Sequence, residues 1–157
     1  MKVTPTLEGG LRVDAEEPGD WLLLNGIAND ALSCHEGLAE RMGNLVTDEE
    51  VAGDWRDFVV PDLEEQFSSA LLHVTTAIAS ARLESGDGPG PLWITREDGF
   101  EWYSALNQAR LALEEKFRFG PSETNDPAGL PPELRTAFLR SQFYCAIQSL
   151  LLEHVLR

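Results

Sequence analysis

Two pairs of carboxylates are where this sequence comes nearest to catalysis. Asp62-x-x-Glu65 and Asp98-x-x-Glu101 each set two acids one helical turn apart on a single face. Two such faces brought together in a helical bundle would hold Mg²⁺ and position a nucleotide phosphate for hydrolysis. The same spacing has a plainer origin. Each pair falls in the first turn of an expected helix, where acids complement the exposed amide dipole. A chain with 27 Asp and Glu also produces such pairs by chance. No metal site is assigned, and Asp62, Glu65, Asp98 and Glu101 stand as the candidates for one.

Other reactive side chains are sparse. The histidines are His35, His73 and His154, and the cysteines are Cys34 and Cys145. Cys34 and His35 are adjacent, so on a helix their side chains point about 100° apart and only one can face a given ligand. Zinc needs three or four converging ligands, so no Cys/His site is expected. The two cysteines read as buried thiols on apolar helix faces, which points to a reducing compartment and hence the cytoplasm. The sequence contains no G-x-S-x-G, G-x-x-x-x-G-K-[ST], H-E-x-x-H or C-x-x-C. Gly86-Asp87-Gly88-Pro89-Gly90 resembles a phosphate loop only superficially. It precedes a strand instead of a helix, and its proline removes an anion-binding amide. It reads as a linker turn. The residues point away from catalysis, and no cofactor is expected.

Four polar residues stand out against apolar surroundings. Asn107 and Arg110 lie one turn apart on an expected helix, while Gln148 and Glu153 lie on the last one. A buried Arg110 must be paired, and with a carboxylate it would fix the packing of two helices. An exposed Arg110 would instead lie along Leu106.

The elements that position these residues follow from periodicity and punctuation. Val3, Pro5 and Leu7, then Leu11 and Val13, alternate around Gly9-Gly10 and predict a hairpin of residues 2–7 and 11–14, with Pro5 on an edge strand. A helix is expected from Pro18, with Leu24, Ile27, Ala31 and Cys34 on its apolar face. The stretch around Arg41 fits helix or loop. Thr47 and Glu50 form a capping box for a short helix to about Phe58, which Pro61 should interrupt. Leu63, Phe67, Leu71, Val74, Ile78 and Ala81 predict a long helix over residues 62–83. Residues 92–95 read as a third strand completing a small sheet. A helix over 96–118, capped by Thr95 with Asp98, and a last helix from Pro131-Pro132 to the end follow, joined by a polar loop through Gly129. The fold class is mainly α: one domain over residues 1–157, three long helices plus one or two short ones, and a small antiparallel sheet.

The last helix is apolar over most of its surface, so it is surrounded by partners. Either it forms part of a two-fold homodimer, with Phe143, Ile147 and Leu151 near the contact, or it is the centre of a monomeric bundle.

Composition excludes further classes. The 157 residues carry 12 Lys and Arg against 27 Asp and Glu, a net charge of −15. Residues 1–60 hold net −9 of this and the rest net −6. Such a chain lacks the basic face that direct nucleic-acid binding needs. No apolar run is long enough to span a membrane. The acidic excess serves solubility, docking to a basic partner, or mimicry of nucleic acid.

At Leu106-Asn107-x-x-Arg110-Leu111-x-Leu113, followed by Phe143, Tyr144, Ile147 and Gln148, the sequence resembles a bacterial domain-of-unknown-function family, number two thousand and seventeen. The order of elements is similar over nearly the whole chain, although the last helix lacks the Trp-rich pattern expected of members. The resemblance implies no established activity. It implies genes near the protease adaptor ClpS and so a link to regulated proteolysis. The expectation is a cytoplasmic, non-catalytic protein-interaction or regulatory module whose protein partner the sequence does not name. The alternatives are a Mg²⁺-dependent nucleotide hydrolase on the paired carboxylates and an acidic nucleic-acid mimic.

Overall fold

The computed structural model describes residues 1–121 and 124–157. Strands β1 (Lys2–Pro5) and β2 (Leu11–Ala15) form the expected hairpin, and Gly9 turns it with φ +86°. Strand β3 (Gly90–Ile94) pairs with the other side of β2, giving an antiparallel sheet of order β1-β2-β3. Strand bounds move slightly from those expected, and Leu7 belongs to the exposed turn. Leu11, Val13, Ala15, Leu92 and Ile94 face the core, while Arg12 lies over the Trp93 ring on the outer face. The Thr6 amide donates to the Gly10 carbonyl at 2.9 Å, so even-numbered residues of β2 bond towards β1 and odd-numbered ones towards β3. Pro5 lies opposite Leu11 and Pro91 opposite Asp14. By this alternation both prolines aim their missing donors outwards, at the two flanks of the sheet.

Helix α1 (Pro18–Ala31) opens where Asp20 accepts the amides of Glu16 at 2.8 Å and Glu17 at 3.2 Å. It buries Trp21, Leu24 and Ile27, and the Trp21 indole donates to the Gly88 carbonyl at 2.9 Å, pinning the Gly- and Pro-rich loop. The helix ends at Ala31. Cys34 therefore leaves the helical face expected for it and lies in the following loop, half-buried, with its thiol donating to the Ala112 carbonyl.

The stretch around Arg41 is helix α2 (Leu38–Gly43). Helix α3 (Glu49–Asp54) is capped by Asp48, not by Thr47, because the Asp48 carboxylate reaches the amides of both Glu50 and Val51 at 3.0 and 3.1 Å. Pro61 does not interrupt the chain as expected. Residues Trp55–Val59 form a π-helical turn, in which the Val60 amide bonds the Trp55 carbonyl, and helix α4 (Val60–Glu84) continues from it. Widening the helix by one residue accommodates both the donor that proline lacks and its ring. Leu71, Val74, Ile78 and Ala81 of α4 are buried, as the stripe predicts.

Helix α5 (Gly99–Phe117) starts later than expected, with Asp98 and not Thr95 at its N-cap position, because residues 95–98 form a turn in which the Thr95 hydroxyl donates to Asp98 at 2.6 Å. The expected polar loop then leads to helix α6 (Pro132–His154); its residues 122 and 123 lie outside the described residues. The centre of the bundle is α5, not the last helix. It packs against α1, α4 and α6, and it buries Ala105, Ala109 and Ala112 beside Trp102, Leu106 and Leu113. Small side chains let three helices approach one. Helix α6 covers α5 and touches β1 and β2. Ile147 and Leu151 are buried within the chain's own core, at 4% and 0% exposure, and Phe143 packs half-buried against it. Ile147 and Leu151 are therefore already covered within one copy of the chain, while Phe143 keeps part of its ring exposed. No helix among the described residues is long and apolar enough to cross a membrane.

Candidate functional site

The four candidate metal carboxylates do not converge. Asp98 accepts the Thr95 hydroxyl and amide through one oxygen and faces His73 Nε2 at 2.9 Å through the other. Burial pushes this carboxyl up, but the Thr95 bonds and His73 outweigh it and hold it below the usual carboxylate value. Asp62 and Glu65 lie exposed on α4. Glu65 and Glu101 line one depression between α4 and α5, with Ser69, Phe100 and Ser104, but Asp62 and Asp98 are not part of it. Among the described residues, no group of three or more His, Cys, Asp and Glu is placed to hold a metal ion. Its bonds to Thr95 and His73 take Asp98 away from such a role. His35 is exposed, His154 lies 3.7 Å from Glu153, and both cysteines are free thiols, half-buried where full burial was expected.

The polar residues of α5 and α6 do meet, in a different pairing from the one expected. Arg110 donates to Gln148 Oε1, and Gln148 Nε2 donates to the Tyr103 carbonyl at 3.3 Å. The partner of Arg110 is thus an amide and not a carboxylate. Gln148 is 2% exposed, and Asn107 is half-buried one turn away.

A second polar tie escapes the sequence reading. Arg140 of α6 grips Asp30 of α1 in a two-pronged bond, Nε to Oδ2 at 2.8 Å and Nη2 to Oδ1 at 3.0 Å. Tyr144, one turn along, donates its hydroxyl to the same Asp30 oxygen at 2.7 Å. Burial, then the bond to Asp30, drive the Tyr144 phenol far above its ordinary value. The Asp30 bond likewise raises Arg140 against the opposing effect of burial. Gly26 makes room for this: a Cβ there would lie 3.1 Å from the Tyr144 oxygen. The signal in the sequence is the i, i+4 spacing of Gly26 with Asp30 and of Arg140 with Tyr144.

These two ties join helices and leave no open reactive group. An open groove lies elsewhere, between α2 and the π turn. There a groove of about 500 Å³ is lined by Glu36, Glu40, Gly43 and Asn44 on one wall and by Ala52, Trp55, Arg56 and Val60 on the other, with Val46 between. The Trp55 indole donates to the Ala39 carbonyl at 3.2 Å, which anchors the ring by its edge. Gly43 is required beside it, since a Cβ there would lie 2.7 Å from the indole Cδ1. Close by in sequence, Leu45 is 84% exposed, Val51 52% and Phe58 71%. Acids surround them: Asp48, Glu49, Glu50, Asp54 and Asp57.

A family model described as a domain of unknown function (DUF2017) matches residues 36–155, which include this groove and the Arg110–Gln148 tie. No curated protein and no solved structure matches the chain.

Proposed function

The chain belongs to the DUF2017 family, and from that premise we propose that it is a cytoplasmic, non-catalytic module that binds another protein. The observation that carries this reading is the segment from α2 to the π turn. It exposes Leu45, Val51 and Phe58 within an acidic stretch of sequence that also contributes to a groove lined by the anchored Trp55 indole. Large exposed apolar side chains gathered in one segment and rimmed by charge mark a protein contact more than a catalytic cleft. Arg110, Gln148, Asp30, Arg140 and Tyr144 are engaged in tying helices together. The whole chain acts as one unit in this reading, since the apolar cluster joins residues from Leu11 to Val155.

Site-specific photo-crosslinking tests it. A photoreactive side chain at position 58 should capture a discrete protein in the native cytoplasm. The same group at position 83, equally exposed at the far end of α4, should not. Equal labelling from both positions, or none from either, would remove the reading.

A further inference from the structure

We propose that the groove between α2 and the π turn receives a lysine or arginine side chain from a basic segment of the partner. The inference rests on the protein-binding reading above and names the chemistry of what docks. Three observations converge on it. Trp55 lines the groove, and its ring is held by its edge, through Nε1 to the Ala39 carbonyl, so its orientation is fixed in advance. The glycine at position 43 provides the space in which the indole lies. An aromatic ring in the lining attracts a cation that reaches its face, and the aliphatic stem of lysine or arginine is matched by Val46, Ala52 and Val60.

Charge gives the direction. Glu36 and Glu40 stand exposed on the α2 side of the groove. Arg41, the nearby base on α2, is turned away, with its guanidinium 3.8 Å from Glu115 of α5. Arg56 lies on the π-turn side, so an incoming cation is repelled from that wall and settles against Glu36 and Glu40. Beyond the groove, Asp48, Glu49, Glu50, Asp54 and Asp57 extend the negative field along the same segment. This field raises the encounter rate with a basic segment and opposes an acidic one. The π turn that accommodates Pro61 is also what places Trp55 across from α2, so the same local feature builds one wall of the groove.

Titration calorimetry with a short peptide of alternating lysine and leucine, and with its glutamate-for-lysine counterpart, tests the assignment. The lysine peptide should bind and the glutamate peptide should not. The double variant E36Q/E40Q should weaken the lysine peptide about tenfold, the scale of one or two charge-assisted contacts. The double variant E8Q/E97Q changes net charge equally at exposed positions far from the groove and should leave affinity unchanged. The Trp55 indole N–H resonance, identified by its loss in W55F, should shift on binding in the parent protein. Equal losses in the two double variants would reduce the effect to general charge attraction and overturn the assignment, as would absence of binding or an unmoved Trp55 resonance. If crosslinking at position 58 succeeds while these fail, protein binding stands and the cationic occupant does not.

Discussion

Arg140 and Asp30 are joined by two parallel hydrogen bonds across 110 residues of sequence, and the pair fastens the last helix to the first. Asp30 is almost wholly buried, whereas Arg140 keeps about a third of its side chain in solvent. Removing one partner is therefore not the same as removing the other. Arg140→Ala leaves a buried carboxylate without its counter-charge and should lower the unfolding free energy by about 3 kcal/mol. Urea denaturation measures it. The double change Asp30→Leu with Arg140→Met removes both charges and should recover much of that loss.

Tyr144 couples the same cluster to alkaline pH. Its folded-state value is raised above the ordinary 10.0. Below pH 10 the phenol is protonated in both states and contributes no pH dependence. Above it, the unfolded chain releases the proton while the folded one retains it. Stability should then fall by about 1.4 kcal/mol per pH unit from this group. In Tyr144→Phe that component of the alkaline slope should vanish, at a cost near neutrality of about 1–2 kcal/mol for the lost bond to a charged acceptor.

Gly26 gives a prediction whose sign reverses with context. Alanine is the better helix former by about 1 kcal/mol. At position 26, however, its methyl would press on the Tyr144 oxygen, which Asp30 holds in place. Gly26→Ala should destabilise the parent protein and stabilise the Tyr144→Phe variant. A double-mutant cycle by thermal denaturation reads both signs at once.

Ile147 separates the two arrangements that the apolar last helix allows. Buried in the chain's own core, Ile147→Glu should unfold the protein instead of producing well-folded monomers, because the new carboxylate has no partner there. Circular dichroism together with sedimentation distinguishes these outcomes.

Much of this arrangement is legible before any coordinates. The stripe of α4 and the Gly–Gly hairpin follow from spacing alone, because burial on one face imposes a period. The centre of the bundle is marked by small side chains, not by large apolar ones. Leucine and phenylalanine in α6 suggested encirclement, but Ala105, Ala109 and Ala112 mark the helix that three others approach. Thr47 and Asp48 compete for one cap, and adjacent residues with similar side-chain chemistry leave that choice to local geometry. The π turn at Pro61 is not legible in the sequence, since proline's effect depends on whether the preceding turn can widen. The Asp30–Arg140 contact has no local cause; only a charged residue on each apolar helix face, one turn from Gly26 and from Tyr144, hints at it. The groove at Trp55 is tertiary, assembled from two short helical pieces that the sequence leaves loosely defined.

The prolines at Pro5 and Pro91 have a bearing on crowded solutions. Fibre growth needs an open strand that a fresh chain can copy, one amide after another. Here each outer strand interrupts that template at a residue with no amide hydrogen to offer a newcomer. The sheet therefore has a finite width by construction, and concentrating the protein should not seed ordered aggregates from it.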